Sequence, residues 1–83
     1  MKAFIFRNER TRRDLERQLR PVLGPDWKFF TLRQQFAGYR FEAVVIHDWH
    51  EISRTEPNAL LTQMIETLRL RLNVGCSGNI VYL

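Results

Sequence analysis

The densest run of titratable side chains is His47-Asp48-Trp49-His50-Glu51, where two imidazoles and two carboxylates fall within five residues. Such a set could ligate a divalent metal or supply an acid and a base for hydrolysis. Spacing argues against both. On an extended segment His47 and Asp48 point to opposite faces, and the sequence holds no third histidine to complete a ligand set. The expectation is a polar loop leaving a buried strand, with Trp49 closing the end of the sheet and neither metal nor cofactor bound. A small metal-dependent hydrolase using His47, Asp48, His50 and Glu51 stands as an alternative. The single cysteine, Cys76, can form neither an internal disulfide nor a cysteine-rich zinc site. Neither GxGxxG nor GxxxxGK[ST] occurs, and Arg7-Asn8-Glu9-Arg10 lacks glycine, so a phosphate cannot approach the backbone as in dinucleotide or P-loop proteins.

Charge gives the sharper signal. The net charge is +4, and six arginines (Arg7, Arg10, Arg12, Arg13, Arg17, Arg20) crowd into residues 7 to 20 against Glu9, Asp14 and Glu16. On a helix, Arg10, Arg13, Arg17 and Arg20 lie within about 80° of one another, opposite Leu15 and Leu19, in a row about 15 Å long. Guanidinium groups suit carboxylates and phosphates alike, because the planar fork donates two hydrogen bonds at once. The plainer reading is a solvated face, in which Glu9 to Arg13 and Glu16 to Arg20 are i,i+4 pairs.

The elements that must position these residues can be read from pattern. Ala3-Phe4-Ile5-Phe6, Phe29-Phe30-Thr31-Leu32, Ala43-Val44-Val45-Ile46 and Ile80-Val81-Tyr82-Leu83 are short, aromatic or β-branched runs that read as strands. Helical periodicity fills Glu9 to Leu23, with Asn8 as N-cap and Pro21 predicting an end near Arg20. It returns over Leu60 to Leu72, preceded by Thr55-Glu56-Pro57 and followed by Asn73 and Gly75, with a broader apolar face that predicts deeper burial. The order is β-α-β-β-α-β in one domain, residues 1–83. If strands two and three form a hairpin around Ala37-Gly38, the fold is a ferredoxin-like α+β sandwich. If residues 33–42 cross over, it is a minimal α/β fold: a four-stranded, mostly parallel sheet of order 2-1-3-4 with a helix on each face. Phe4-Ile5-Phe6 and Val44-Val45-Ile46 are apolar on both faces, as in strands covered from both sides, and favour the parallel sheet.

Apolar residues suggest further contacts. Leu70 falls on the side of its helix away from Leu60, Met64 and Leu68, and Phe36 and Tyr39 lie in or beside the uncertain link, where both can be exposed. A contiguous patch of this kind marks a protein interface, and an unpaired final strand is a route to a homodimer.

The run KAFIFRNERTRRDLERQL, a Phe-rich strand, the segment AGYRFEAVVIHDW and a final short helix and strand together resemble small bacteriophage-encoded accessory proteins with a reduced Rossmann-like fold. The resemblance implies a viral protein that acts in the host cytoplasm by binding. No apolar run reaches the roughly 18 residues of a membrane span, and MKAFIFRNER has no signal-peptide h-region, so a soluble cytoplasmic protein without membrane contact is expected. The leading functional expectation is a non-enzymatic protein that binds the acidic surface of a host or viral protein. Its binding residues are Arg10, Arg13, Arg17 and Arg20 with Phe36, Tyr39, Trp49 and Leu70. The alternative is nucleic-acid binding by the same arginines, with Phe36, Tyr39 or Trp49 stacking on bases.

Overall fold

Lys2–Phe6 (β1) carries four successive apolar residues, which a strand accommodates only when both its faces are covered. The computed structural model, which describes residues 1–34, 36, 38–73 and 79–83, meets that demand by setting β1 inside the sheet. The elements are β1, α1 (Glu9–Leu23), β2 (Trp27–Thr31), β3 (Ala43–Ile46), α2 (Trp49–Thr55), α3 (Asn58–Arg71) and β4 (Ile80–Tyr82). The sheet runs β2-β1-β3-β4 and every pair is parallel, with Phe4 opposite Phe29 and Val45, and Val45 opposite Val81. The α/β class and the strand order are as the two-sided apolar strands suggested. The ferredoxin-like alternative falls because β1 separates β2 from β3.

Alternation along β1 divides the core in two. Phe4 and Phe6 turn to the front, where with Phe29 they meet Leu15, Leu19 and Leu23 of α1. Ala3 and Ile5 turn to the back, against Phe30, Val44, Ile46 and the inward residues Ile52, Leu61, Met64 and Leu68 of α2 and α3. α3 is the better buried helix, as its broad apolar face predicted; no residue of α1 is fully buried.

Among the described residues the crossover from β2 to β3 contains no helix. Aromatic side chains fill that space instead: Phe36 and Phe41 are buried, and Phe30 meets both edge-on with ring centroids 5.2 and 5.7 Å apart. The strand-like bridge of Phe41 to Leu72 fastens the crossover to the end of α3, through Phe41 N–H to the Arg71 carbonyl and Asn73 N–H to the Phe41 carbonyl, both 2.8 Å. Gln35 and Ala37 of the crossover, and Gly75 and Cys76, lie outside the described residues.

Two expectations need correction. α1 continues through Pro21 to Leu23, because Pro21 sits in the last turn, where only one helical hydrogen bond is forfeited, and Gly24 at φ 82° closes the helix by donating to the Arg20 carbonyl at 3.0 Å. The segment after β3 is a third helix rather than a loop. Asp48 turns the chain with φ 59°, Trp49 N–H donates to the Leu83 carbonyl at 2.8 Å, and Ile52 anchors the short helix in the back core.

Phe41→Ala is expected to cost about 3–5 kcal/mol. That is comparable with the whole stability of a domain this small, so urea unfolding followed by circular dichroism should find the variant largely unfolded. Val22, 79% exposed on α1, should tolerate Ser within about 0.5 kcal/mol in the same assay.

Candidate functional site

In an open parallel sheet the natural crevice lies at the carboxyl ends of two neighbouring strands whose connections leave in opposite directions. Here those strands are β1 and β3, and the crevice is bordered by Arg7, Asn8 and Glu9 on one side and by His47, Asp48 and Glu51 on the other. Two of these side chains, Asn8 and Glu51, are already engaged. Asn8 Oδ1 accepts the Thr11 N–H at 2.8 Å as the N-cap of α1. Glu51 accepts two hydrogen bonds from Arg54, at 2.7 and 2.8 Å, and lies 3.8 Å from Arg7 across the crevice. The Arg54 hydrogen bonds, with the charges of Arg54, Arg7 and His50 adding, hold Glu51 below the usual carboxylate range, so it is a poor proton donor.

The two histidines do not converge. His47 packs beside Phe6 and Phe4 on the front, at ring-centroid distances of 5.4 and 6.4 Å, and its buried Nδ1 has no hydrogen-bond partner among the described residues. Asp48 and His50 are exposed. Among the described residues no three His, Cys, Asp or Glu side chains stand close enough to hold a metal ion. Helix α2 is the reason: it lifts His50 away from the strand end and turns Glu51 toward Arg54.

The four arginines do form a row. Arg10, Arg13 and Arg17 are exposed on the outer side of α1; Arg20 is exposed too, but its guanidinium turns toward the sheet, 5.1 Å from the centre of the Phe29 ring, while Leu15 and Leu19 hold the opposite side of the helix to the sheet. Two of the four are partly neutralised: Arg13 Nε lies 3.6 Å from Glu9 and Arg20 Nη2 lies 2.6 Å from Glu16. Arg10 and Arg17 make no ion pair among the described residues. Arg12 belongs to the flank, where Glu9 and Glu16 bracket it in short ion pairs. Hydrogen bonding from Arg12, with the charges of Arg12 and Arg13, lowers the Glu9 carboxyl below its ordinary value and raises Arg12 in return. A shallow groove of about 550 Å³ runs between Arg12, Arg13, Glu16, Arg17 and Arg20 and ends at Pro21.

The aromatic candidates lie elsewhere. Phe36 is 3% exposed, a correction to its expected place at the surface, because it substitutes for the missing crossover helix. Tyr39 is half-buried beside Phe30 and Phe41, with the Lys28 ammonium 5.4 Å from its ring. Trp49 packs on Tyr82 at 4.9 Å. These three belong to the back core, whereas the arginine row faces outward at the front, so they do not make one surface with it. Leu70 is exposed, as its helical position indicated.

Also at the back, a cleft of about 500 Å³ opens between the crossover and α3, lined by Leu32, Arg33, Phe36, Leu60, Met64 and Arg71 among others. Arg33 reaches across to Glu56 at 3.2 Å, and Arg71 Nε is buried without a hydrogen-bond partner among the described residues.

Sequence reasoning did not find the uncovered front of β3 and β4. α1 packs chiefly over β1 and β2, and among the described residues Val45 is partly exposed, Val81 48% exposed and Leu83 61% exposed. The signal was the placing of Val81 and Leu83 two residues apart, hence on one face, in a strand for which the sequence offers no second front-side helix. No family model, curated protein or solved structure matches the chain.

No helix among the described residues is long and apolar enough to cross a membrane. Because the crevice carboxylate is committed to arginine and the imidazoles diverge, zinc or manganese should not raise the melting temperature, and chelation should leave it unchanged. A stoichiometric rise that His50→Ala removes would show a metal site after all.

Proposed function

We propose that this protein is a non-enzymatic binding module that docks on an acidic protein surface through the outer face of α1. The observation that carries the reading is the arginine row itself: Arg10, Arg13 and Arg17 outward on one helix, Arg10 and Arg17 free of ion pairs among the described residues, with Arg20 at the end of the row turned toward Glu16 and Phe29. A helix held to the sheet by leucines fixes the backbone spacing of the row before binding, so that only the arginine side chains remain to be ordered on a partner. Each arginine can fork onto a carboxylate, and the resulting complementarity chiefly sets encounter rate and register.

Two features favour a protein partner over nucleic acid. Phe36, Tyr39 and Trp49, the aromatics expected to stack on bases, lie in the opposite core and do not interleave with the row as cation and ring do on single strands. Glu9 and Glu16 flank the row and pair with Arg13 and Arg20, which suits a partner surface of mixed charge better than a continuous phosphate backbone. The resemblance to phage accessory proteins is in keeping with the same class, a small protein acting by attachment in a host cell.

The test is capture from a nuclease-treated lysate, comparing the wild-type chain with Arg10→Glu/Arg17→Glu. A protein retained by the first and lost by the second supports the reading. Tight, steeply salt-dependent binding of a short single-stranded oligonucleotide, abolished by the same pair, would transfer the function to nucleic acid. Glu9→Gln removes the carboxylate that shields Arg13 and should tighten capture about two- to fivefold, the modest effect of an exposed charge pair.

A further inference from the structure

The cleft at the back of the molecule joins an apolar lining to a cationic one. Leu32, Phe36 and Met64 line it while remaining almost fully buried, with Leu60 beside them. Arg33 and Arg71 supply its charge, and among the described residues no carboxylate lines it. An apolar lining with a few polar groups at its margin is the usual make-up of a small-molecule site, and about 500 Å³ lies within the range such sites take. Leu60, Met64, Thr67 and Arg71 follow one another at steps of four, three and four residues, so the cleft runs along one face of α3 for about 16 Å.

The polar groups of the cleft differ in what they are free to do. Arg33 Nη2 donates to Glu56 at 3.2 Å, which neutralises it beside the start of α3. Gln34 Oε1 accepts the Thr31 N–H at 2.7 Å, and Thr67 Oγ1 donates to the Gln63 carbonyl at 2.9 Å, so its proton is committed inside the helix. Arg71 is the exception. It is half-buried and its Nε is shut away from water, yet among the described residues it has no ion pair and nothing accepts from that Nε. A cation taken part-way out of water without a counter-charge is destabilising, and an anion brought to it relieves the penalty.

We propose that this cleft binds an amphipathic monocarboxylate, with its carboxylate on the Arg71 guanidinium and its apolar chain lying along α3 over Met64 and Phe36 toward Leu60. The outer nitrogens of Arg71 supply the donors, since Nε is enclosed, and a carboxylate takes them as charge-assisted hydrogen bonds. One negative charge fits and two do not. Arg71 stands in the last turn of α3, where the carbonyl end of the helix repels further negative charge, and Arg33 is already balanced by Glu56. A single guanidinium therefore meets the ligand, enough for a carboxylate and too little for a phosphate dianion. The groove on α1 is walled by arginines, Glu16 and Pro21 and has no comparable apolar lining, so it does not compete for the same molecule.

Titration of the isotope-labelled full chain with octanoate, followed by amide NMR, should give saturable shifts confined to α3 and the crossover, with α1 unmoved. From hexanoate to decanoate the affinity should rise about three- to fourfold for each added methylene, as a chain entering an apolar cleft requires. The alcohol 1-octanol keeps the chain and lacks the charge, and should bind about tenfold more weakly; octylammonium should bind no better than the alcohol. Arg71→Gln, with unchanged circular dichroism, should bring octanoate down to the level of 1-octanol and leave 1-octanol where it was, a split that a merely structural role of Arg71 would not produce. No shift up to about 10 mM octanoate, shifts centred on α1, equal affinity for octanoate and 1-octanol, or octanoate binding indifferent to Arg71→Gln would each overturn the proposal. Tighter binding of octyl phosphate than of octanoate would assign the cleft to a phosphate ligand and likewise overturn it. Should Arg71→Gln fail to fold, the ligand series on the wild-type chain decides by the same criteria.

Discussion

The need to bury β1 on both sides governs the rest of the molecule. Phe4 and Phe6 are large and face one way; Ala3 and Ile5 face the other. A single helix can cover only about two strands of a sheet, so α1 is committed to β1 and β2, and the longer connection from β3 must cover the back. Four strands, one front helix and a back layer of two helices and an aromatic crossover are the least that satisfies β1. That economy has a cost, the uncovered front of β3 and β4.

The same commitment explains why α1 is so polar. Its apolar stripe is narrow because it touches only the phenylalanines and Trp27 below it, and no residue of the helix is completely enclosed. The remaining circumference must then be hydrated, and arginine with glutamate supplies both helix propensity and i,i+4 pairing. Pairing at one flank, through Arg12 between Glu9 and Glu16, leaves the excess positive charge on the outermost line. Part of the row therefore follows from solvation, and its uneven neutralisation is the feature that goes beyond solvation.

The class and strand order were legible because they rest on short-range facts: apolar residues at consecutive positions mean two covered faces, and three- and four-residue recurrence means a helix. The arginine row was legible for the same reason, since a wheel needs only spacing. α2 was not, because its seven residues bury one side chain and its first donor is satisfied by Leu83, 34 positions away in the chain. The burial of Phe36 was equally hidden. Nothing local distinguishes an aromatic in a loop from one that replaces a helix, and only the bridge of Phe41 to Leu72 fixes the crossover over the back core.

That long-distance bond ties folding order to geometry. β3 is flanked by β1 on one side and by β4, drawn from the far end of the sequence, on the other, and Trp49 waits for the carbonyl of Leu83 before α2 has its full set of backbone partners. This half of the sheet can therefore close only once residues 80–83 are available to pair with β3. Until then β3 is itself the open margin of the sheet, and unpaired strand edges of that kind are where mispairing starts.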